Sequence, residues 1–317
     1  MGTTDEPHPG VGHPPPEDDP VPTSPIVAHS EPVTLLEYRG NDAIWATKPI
    51  VLESPLPLII NDKRWLTVLC TPTKIRCLAL GFLYNEGLIS CLDDVLDLRI
   101  DQPPEVAIRV QLCNQSLQLP HERTLTSGCG GATTFVDLAA AREPVRTSIR
   151  VTAEQISDLM DQLVAAVADD YSRVGGFHTS GLSDGHRLLA IATDIGRHNT
   201  LDKVAGECLA RNISMSDGIL LTTGRVSVEM LAKAARMQVP VVATLNSPTH
   251  LAVELARAWR ITLVGYARGA QMHVYAGWQN GCAMSLGARV EDASLFPPTL
   301  DEDSSLAFRD AWPSVEE

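Results

Sequence analysis

Residues 188–199 read LLAIATDIGRHN, an apolar run that ends in a short polar and basic cluster. The same pattern of run and cluster recurs three times, with later clusters at 222–225, 246–249 and 266–269. Between the clusters, apolar residues recur at the spacing of an amphipathic helix. Strands that alternate with helices in this way are typical of an open α/β sheet, whose ligands bind beyond the carboxyl ends of the strands. We therefore predict an α/β fold with a ligand crevice formed by the four clusters.

Three of the four clusters contain an arginine, at Arg197, Arg225 and Arg268. Helix N-termini and arginine side chains gathered in one crevice suit phosphate oxygens, which predicts an anionic nucleotide as the ligand. Arg225, with Gly224 before it, and Arg268 follow apolar runs in glycine-containing turns. Because packing gives no reason for an arginine there, we predict phosphate contacts from Arg225 and Arg268.

Three other polar residues near the crevice allow a structural role as well as a binding role. Asp194 either accepts a hydrogen bond from the N–H edge of guanine or caps the helix that follows it. Arg197 either contacts the ligand or pairs with Asp202 or Asp194. His178 either faces the crevice as a donor or base, or is satisfied within its own loop. All three are predicted ligand-binding residues, with the structural alternatives open.

The formal charge of −14 is concentrated at the two ends of the chain. Residues 1–31 carry −6 and residues 291–317 carry −7, which leaves −1 for the residues between them. The acidity therefore neither requires a basic partner nor excludes an anionic ligand. Both ends are poor in large apolar residues, and the first is rich in proline. We predict disordered segments over residues 1–31 and 281–317.

The chain shows no pattern of an export signal, and no apolar run approaches the roughly 18 residues that a membrane span needs. Its 7 cysteines are an odd number and include no CxxC pair. This usage is typical of free thiols in a reducing compartment. These features predict a cytoplasmic protein with neither a membrane nor a nucleic acid as partner.

The residues before the crevice predict a smaller β-rich subdomain over 32–150, followed by an α/β domain over 151–280. The subdomain contains short runs rich in apolar and β-branched residues, and a turn at 61–63 joins two of them. The predicted strands lie at 33–38, 43–45, 50–52, 58–60, 65–69, 95–100 and 106–112.

Two helices are predicted from their start signals. One begins at Thr73 and ends near Gly87, with apolar residues on one face. A longer amphipathic helix begins where Thr152 and Gln155 form a capping box, and its buried stripe runs as far as Val167.

A glycine-rich stretch, TLTSGCGGATT at residues 124–134, lies between the two halves. Glycines flank Cys129 on both sides, and no apolar residue lies within two positions of it. Glycines let the backbone turn sharply and expose a thiol on a mobile loop. Cys129 is therefore either a nucleophile or sulfur carrier, or a cysteine that a turn happens to contain. Sulfur transfer suits a flexible loop, because a persulfide must reach two partners in succession.

Seven stretches of this chain together carry a family resemblance. They are LALGFLYNEG (78–87), TSGCG (126–130), GGFHT (175–179), DIGRHNTLDK (194–203), TGRVS (223–227), LAVELA (251–256) and ITLVGYARG (261–269). On these stretches the chain resembles the formate dehydrogenase accessory sulfurtransferase family, FdhD. The ordered series is specific, whereas each stretch alone is weak.

The resemblance implies a cytidine-deaminase-like, three-layer α/β fold for the C-terminal domain. It implies a sulfurtransferase that accepts sulfur from a cysteine desulfurase as a persulfide and passes it to the molybdenum cofactor, in its bis-guanine-dinucleotide form, for formate dehydrogenase. It also implies a homodimer. Cys129 matches the family's persulfide cysteine. The stretch that matches the family's guanine-dinucleotide site is Tyr266, Ala267, Arg268, Gly269, Ala270 and Gln271.

One departure from the family pattern bears on the sulfur chemistry. Many members carry a CxxC pair in this loop, whereas the second position here is Ala132. A relay between two cysteines of this loop is therefore impossible, although one cysteine suffices to carry a persulfide. The alternative is a chaperone that binds and delivers the cofactor without moving sulfur.

A deaminase-like fold also raises the possibility of a zinc nucleoside deaminase. That chemistry needs an H-x-E motif and a P-C-x-x-C motif to hold zinc and move protons. The chain contains neither motif, so we predict no metal site and no zinc.

Overall fold

The structure is a computed structural model that describes residues 27–101, 106–119, 124–125, 133–134, 143–269, 271–277 and 284–285. No helix within these ranges is long and apolar enough to cross a membrane. The strands are β1 (Ser30–Arg39), β2 (Asp42–Val51), β3 (Ser54–Ile60), β4 (Lys63–Cys70), β5 (Val95–Ile100), β6 (Ile108–Leu112), β7 (Thr124–Leu125), β8 (Thr133–Thr134), β9 (Val151–Thr152), β10 (His178–Ser183), β11 (Leu188–Asp194), β12 (Ile219–Thr222), β13 (Val241–Thr244), β14 (Thr262–Arg268), β15 (Gln271–Ala276) and β16 (Met284–Ser285). The helices are α1 (Ile75–Asn85), α2 (Ala153–Ala165), α3 (Ala168–Arg173), α4 (Arg197–Ala210), α5 (Val228–Arg236) and α6 (His250–Ala258).

Six strands form the central sheet in the order β11-β10-β12-β13-β14-β15. β12, β13 and β14 are parallel, whereas β10 and β15 run antiparallel to their neighbours. The carboxyl ends of β11, β12, β13 and β14 therefore meet at one edge, which confirms the arrangement predicted from the four clusters. The sequence predictions omit β10, because its residues HTSGLS contain no apolar run although nearly all of them are buried.

Helices cover both faces of the central sheet and give it three layers, as predicted. Successive residues of a strand point to opposite faces. In β12, Ile219 and Leu221 therefore pack in one apolar cluster with the buried face of α2, whereas Leu220 packs in another with α4, α5 and α6. A strand buried on both faces reads as a continuous apolar run, which is why β12, β13 and β14 could be recognised in the sequence.

The N-terminal subdomain is built on a second sheet of four strands in the order β4-β3-β6-β5. Helix α1 packs on this sheet and buries Leu78 and Leu83 against Leu58 and Ile108. The predicted turn between β3 and β4 is confirmed. Its two residues take the left-handed conformation that a tight hairpin requires, with φ of 46° at Asn61 and 63° at Asp62.

The two sheets are joined through helices α1 and α4, whose backbones are in direct contact. A Cβ atom at Gly81 would overlap the carbonyl oxygen of Asp202, and one at Gly206 would overlap the carbonyl oxygen of Cys77. Only glycine at both positions allows this approach. The crossing places the N-terminal subdomain directly against the helix that follows the first cluster.

Several predicted boundaries differ from the structure for local reasons. Helix α1 begins two residues after Thr73, because Lys74 is left-handed at φ 48° and cannot continue a helix. The capping box of Thr152 and Gln155 is confirmed, with both reciprocal hydrogen bonds present. Helix α2 ends before Val167, so that residue is not part of its stripe. The strands predicted at 43–45 and 50–52 are one strand, β2.

The predicted terminal segments fall mostly outside the described residues. At the N-terminus the structure begins with a short 3-10 helix, Val27–His29, which leads directly into β1. At the C-terminus β16 pairs in parallel with β9. The described residues of both segments, 27–31 and 284–285, therefore form secondary structure, and the prediction of disorder concerns the remaining residues, which lie outside the described ranges.

Candidate functional site

The candidate site is the edge of the central sheet where β11, β12, β13 and β14 end. His178 opens the antiparallel strand β10 and pairs with Asp194 at the end of β11, so it reaches the same edge. Thr222 and Thr244 are aligned at the ends of β12 and β13. The structure thus brings His178 and the four clusters together, although His178 is distant from most of them in sequence.

Hydrogen bonds between neighbouring loops make this edge rigid. The hydroxyl of Thr244 donates to the carbonyl oxygen of Gly224 at 2.6 Å. The side-chain amide of Asn246 donates to the carbonyl oxygen of Thr223 at 2.9 Å, and the backbone carbonyl oxygen of Asn246 accepts from the backbone N–H of Tyr266 at 3.1 Å. The backbones of the second, third and fourth clusters are therefore connected in series by hydrogen bonds.

Gly224 has a steric role in this edge. A Cβ atom at Gly224 would lie 2.8 Å from Cβ of Arg197, closer than carbon atoms pack. The absence of a side chain at position 224 therefore makes room for the stem of Arg197. Gly224 supports the site through this contact and through its backbone.

Asp194 is completely buried and faces the protein interior. Its Oδ2 atom accepts from Nζ of Lys203 at 2.6 Å and from the amide of Thr71 at 3.1 Å. Its Oδ1 atom accepts from the amide of Gly196 at 2.8 Å and from the side chain of Asn199 at 2.9 Å. Both oxygens are therefore occupied by protein donors, which favours the structural alternative. The helix N-cap is Gly196, so Asp194 holds the preceding turn rather than the cap position.

Arg197 is also buried, with 4% of its surface exposed. Asp194 and Asp202 are the ion-pair partners considered for Arg197 in the sequence analysis, and each of these carboxylates pairs with a buried lysine. Lys203 pairs with Asp194, and Lys233 pairs with Asp202 at 2.7 Å. Both aspartates that the sequence analysis considered as partners of Arg197 therefore pair with buried lysines.

Two histidines lie close to Arg197 and are held neutral. Burial, and then the charge of Arg197, lower the pKa of His178 below its usual value. Burial lowers the pKa of His198 to about 2, with further contributions from Lys233 and Arg197. His198 lies 3.2 Å from Oε2 of Glu229. Because this imidazole is neutral near pH 7, the contact is a hydrogen bond from Nε2–H rather than an ion pair.

The hairpin of β14 and β15 forms the open part of the edge. Tyr266 is left-handed at φ 51° and 43% exposed, so its ring projects from the strand. Gly269, at φ 53°, occupies the hairpin turn, where its carbonyl oxygen accepts from the hydroxyl of Ser157 at 2.6 Å. A shallow open pocket of about 340 Å³ lies on this hairpin. The pocket is lined by Tyr266, Arg268, Gln271 and His273.

Three of these four lining residues, Tyr266, Arg268 and Gln271, belong to the predicted guanine-dinucleotide stretch at residues 266–271. Ala267, between Tyr266 and Arg268, points inward and is fully buried in the apolar cluster beneath α2, so it supports the hairpin. Ala270 lies outside the described residues. His273 was missed, although alternation of side chains along β15 places it on the same face as Gln271 once the hairpin is recognised.

Arg225 and Arg268 are both exposed at this edge. They follow β12 and end β14, with β13 between these strands. Because adjacent strands are about 4.8 Å apart, the two strand ends are about 10 Å apart. Two exposed guanidinium groups at strands that are two positions apart in the sheet suit an extended anion with more than one phosphate group.

The predicted catalytic residue, Cys129, lies outside the described residues, as does Ala132. In sequence both lie between β7 and β8, which pair antiparallel with Leu125 opposite Thr133. Among the described cysteines, burial raises the pKa of Cys70 and of Cys208 to about 12. Those two thiols are poor nucleophiles.

Comparison with known proteins supplies the family. A model of the FdhD/NarQ family matches residues 51–280. The sulfur carrier protein FdhD of Staphylococcus aureus strain MRSA252 is 36% identical over 249 residues, which cover 76% of this chain and 92% of that protein. The protein of the same name from strain Newman is 35% identical over 249 residues, with the same coverage.

A solved structure agrees with the fold. The crystal structure of a protein from Desulfotalea psychrophila, described as a candidate formate dehydrogenase accessory protein, superimposes with a TM-score of 0.62. The two chains are 21% identical, and the match covers 78% of this chain and 96% of that chain. At this identity the likeness concerns the fold alone, and the predicted α/β class is confirmed.

Proposed function

The chain belongs to the FdhD/NarQ family, and from that premise we propose that it carries sulfur for the maturation of formate dehydrogenase. The sulfur is taken from a cysteine desulfurase as a persulfide on Cys129. It is then passed to the molybdenum cofactor in its bis-guanine-dinucleotide form, which is the substrate and bound cargo rather than a resident cofactor.

The proposal that the protein binds the molybdenum cofactor is supported by one observation, the pair of exposed arginines at the strand edge. Arg225 and Arg268 provide charge-assisted hydrogen bonds to the diphosphate groups of the guanine dinucleotide. The exposed ring of Tyr266 offers a stacking surface to guanine, and the amide of Gln271 offers both a donor and an acceptor to its polar edge. This set binds the nucleotide ends of the cargo and leaves the molybdenum end free.

The sulfur step needs a single thiolate. The thiolate of Cys129 attacks the sulfane sulfur of the donor persulfide, an S–S bond forms on Cys129, the donor S–S bond breaks, and the donor thiolate leaves with the electron pair. No net oxidation occurs. Release of that sulfur as sulfide consumes two electrons from an external thiol. Ala132 therefore removes a local relay without removing the carrier function.

We also propose that the protein acts in the cytoplasm and as a homodimer, with a cysteine desulfurase and formate dehydrogenase as its protein partners. The family resemblance supports the dimer and the partners. The cysteine usage supports the compartment, because persulfide chemistry requires thiols that are not locked in disulfides.

A second function, delivery of the cofactor without sulfur transfer, is favoured by Ala132. Both functions require the arginine edge, and only the carrier function requires Cys129. The discriminating experiment is intact-mass spectrometry of the full chain after incubation with a cysteine desulfurase and cysteine. The carrier function predicts a gain of about 32 Da that reducing agent removes.

Two cysteine variants make this measurement specific. Cys129→Ala should lose both the mass gain and the maturation of formate dehydrogenase while remaining folded. Cys113→Ala, which removes an exposed thiol elsewhere, should retain both. Full maturation supported by Cys129→Ala would establish the chaperone function instead.

A further inference from the structure

Strands β1 and β2 form a ribbon of two strands that extends from the N-terminal subdomain. Its ladder runs from Ser30 opposite Val51 to Arg39 opposite Asp42. Within the part of the chain that the structure describes, neither strand pairs with a third. An antiparallel pair of strands is marginally stable in water unless another surface covers it.

The ribbon exposes large apolar side chains on both faces. Tyr38 is 70% exposed and Trp45 is 76% exposed. The others that are more than 40% exposed are Val33, Leu36, Ile44 and Ile50. A contiguous exposed apolar surface marks a site of protein contact, and the free strand edges add unpaired backbone groups.

We propose that this ribbon binds the same ribbon of a second copy of the chain, with β2 paired edge to edge with its mate about a twofold axis at Trp45. The inference rests on the homodimer of the proposed function and assigns its surface. A twofold axis makes the contact self-complementary, so each copy uses the same residues. The two ribbons then form one continuous sheet of four strands.

The charges of β2 favour this register. An antiparallel pairing centred on Trp45 sets Asp42 opposite Lys48 of the other copy, and symmetry makes this contact twice. Opposite charges directly across a strand pair stabilise it, whereas like charges would oppose it. The remaining acid of the ribbon's distal half, Glu37, is already paired with Lys48 and Arg39 of its own chain, at 3.2 and 3.4 Å.

The edge of β2 is compatible with this pairing. A proline lacks the N–H group that a ladder needs. Each strand of the ribbon has one proline, and Pro32 of β1 lies opposite Pro49 of β2. The segment of β2 from Asp42 to Lys48 contains no proline, so every residue of the proposed pairing can donate its N–H group.

The aromatic residue at the axis strengthens the contact. In this register the two Trp45 side chains, each 76% exposed in the single chain, lie directly opposite each other on the same face of the new sheet. Aromatic residues directly opposite each other stabilise a strand pair. Pairing along the edge also gives partners to the free backbone N–H and C=O groups of β2.

The first test is the oligomeric state of the full chain by sedimentation velocity. Wild type should be a dimer, and Trp45→Ser should weaken dimerisation by about thirtyfold or more, as loss of a central Trp contact does. Leu96→Ser, at a 61% exposed site on the other sheet, should leave the dimer intact. A monomeric wild type would refute the homodimer itself. A dimeric wild type with an equally dimeric Trp45→Ser would refute only the ribbon as its surface.

The second test addresses the register through charge. Asp42→Lys sets two lysines against each other and Lys48→Glu sets two acids against each other, so each variant alone should dimerise poorly. An equimolar mixture of the two should recover the dimer, because both contacts are then opposite in charge. Glu31→Lys makes the same change of charge outside the segment and should behave as wild type. Unimpaired dimers of Asp42→Lys and Lys48→Glu would refute the twofold pairing along β2.

Discussion

Two groups of charged side chains in the C-terminal domain look alike in sequence and differ in burial. Arg225 and Arg268 are exposed at the strand ends. Lys203 and Lys233 are buried, and each has its own aspartate within 2.7 Å. Charge close to a strand end is therefore an ambiguous sign of a ligand site. Burial with a complete set of partners indicates support of the fold, and exposure on a rigid edge indicates binding.

The buried group connects the two halves of the molecule. Nζ of Lys203 donates to the carbonyl oxygen of Thr71 and to the hydroxyl of Thr73, both at 2.9 Å. Asn85 of α1 donates to Asp202 at 2.8 Å. Residues of the N-terminal subdomain thus satisfy charges of helix α4, and the site edge rests on this junction.

The largest expected effect comes from breaking a buried pair. Asp194→Ala leaves the buried ammonium of Lys203 without its counter-charge, which should lower the free energy of unfolding by about 3–5 kcal/mol. Urea unfolding measures this loss. Adding Lys203→Met should recover much of it, because the uncompensated charge is then gone.

The outcome for Asp194 also decides between its two roles. Normal stability of Asp194→Ala together with lost nucleotide binding would move Asp194 from the supporting group to the binding group.

The exposed group should show the opposite behaviour. Arg225→Ala and Arg268→Ala should each weaken GDP binding by about 1.5–3 kcal/mol, tenfold or more in affinity. Their free energies of unfolding should change by less than about 0.5 kcal/mol. Isothermal titration and urea unfolding test the two halves of this prediction.

Two checks accompany the arginine variants. Arg309→Ala, in the acidic C-terminal segment, should bind GDP as wild type does. Equal GDP affinity in wild type and both crevice variants would show that the nucleotide binds elsewhere.

The pH dependence of stability sharpens the comparison through His198. In the folded protein the pKa of His198 is about 2, below the usual 6.5. As the pH falls, His198 is therefore protonated in the unfolded chain before it is protonated in the folded chain. Stability present above pH 6.5 is therefore lost on acidification, by at most about 1.4 kcal/mol per pH unit. Compared with wild type, His198→Gln should lose less stability between about pH 6.5 and 5.5. If the stabilities of wild type and His198→Gln fall in parallel with pH, the pKa of His198 is not lowered by folding.

The smallest effect is expected outside both groups. Deleting residues 1–26 and 292–317 should leave the melting temperature and the GDP affinity nearly unchanged, because these segments contain too little apolar surface to offset the entropy of ordering them. Their charges are largely screened at physiological salt beyond roughly 8 Å. A large fall in melting temperature would show that one of them packs on the core.

The sequence predicted the C-terminal sheet better than the N-terminal strands. Strands such as β12 are buried on both faces and appear as continuous apolar runs, whereas the ribbon strand β2 is mostly exposed and was divided into two. The capping box at Thr152 was predictable because it depends on residues three positions apart. The start of α1 was not, because the left-handed backbone of Lys74 depends on contacts with α4 and β11.

By itself, the order of apolar runs and polar clusters determined the α/β class, the edge at which the clusters meet and the two arginines at that edge, Arg225 after β12 and Arg268 at the end of β14. These features follow from local periodicity, since the apolar run of a strand and the polar residues that end it are neighbours in the sequence. Only the tertiary structure decided which charges are buried. Asp194 and Lys203 are nine positions apart, and Thr71 is far from both, yet the crossing of α1 and α4 at Gly81 and Gly206 encloses them together. Burial depends on such long-range contacts. Whether a charged residue supports the fold or is free to bind a ligand therefore depends on how the helices pack.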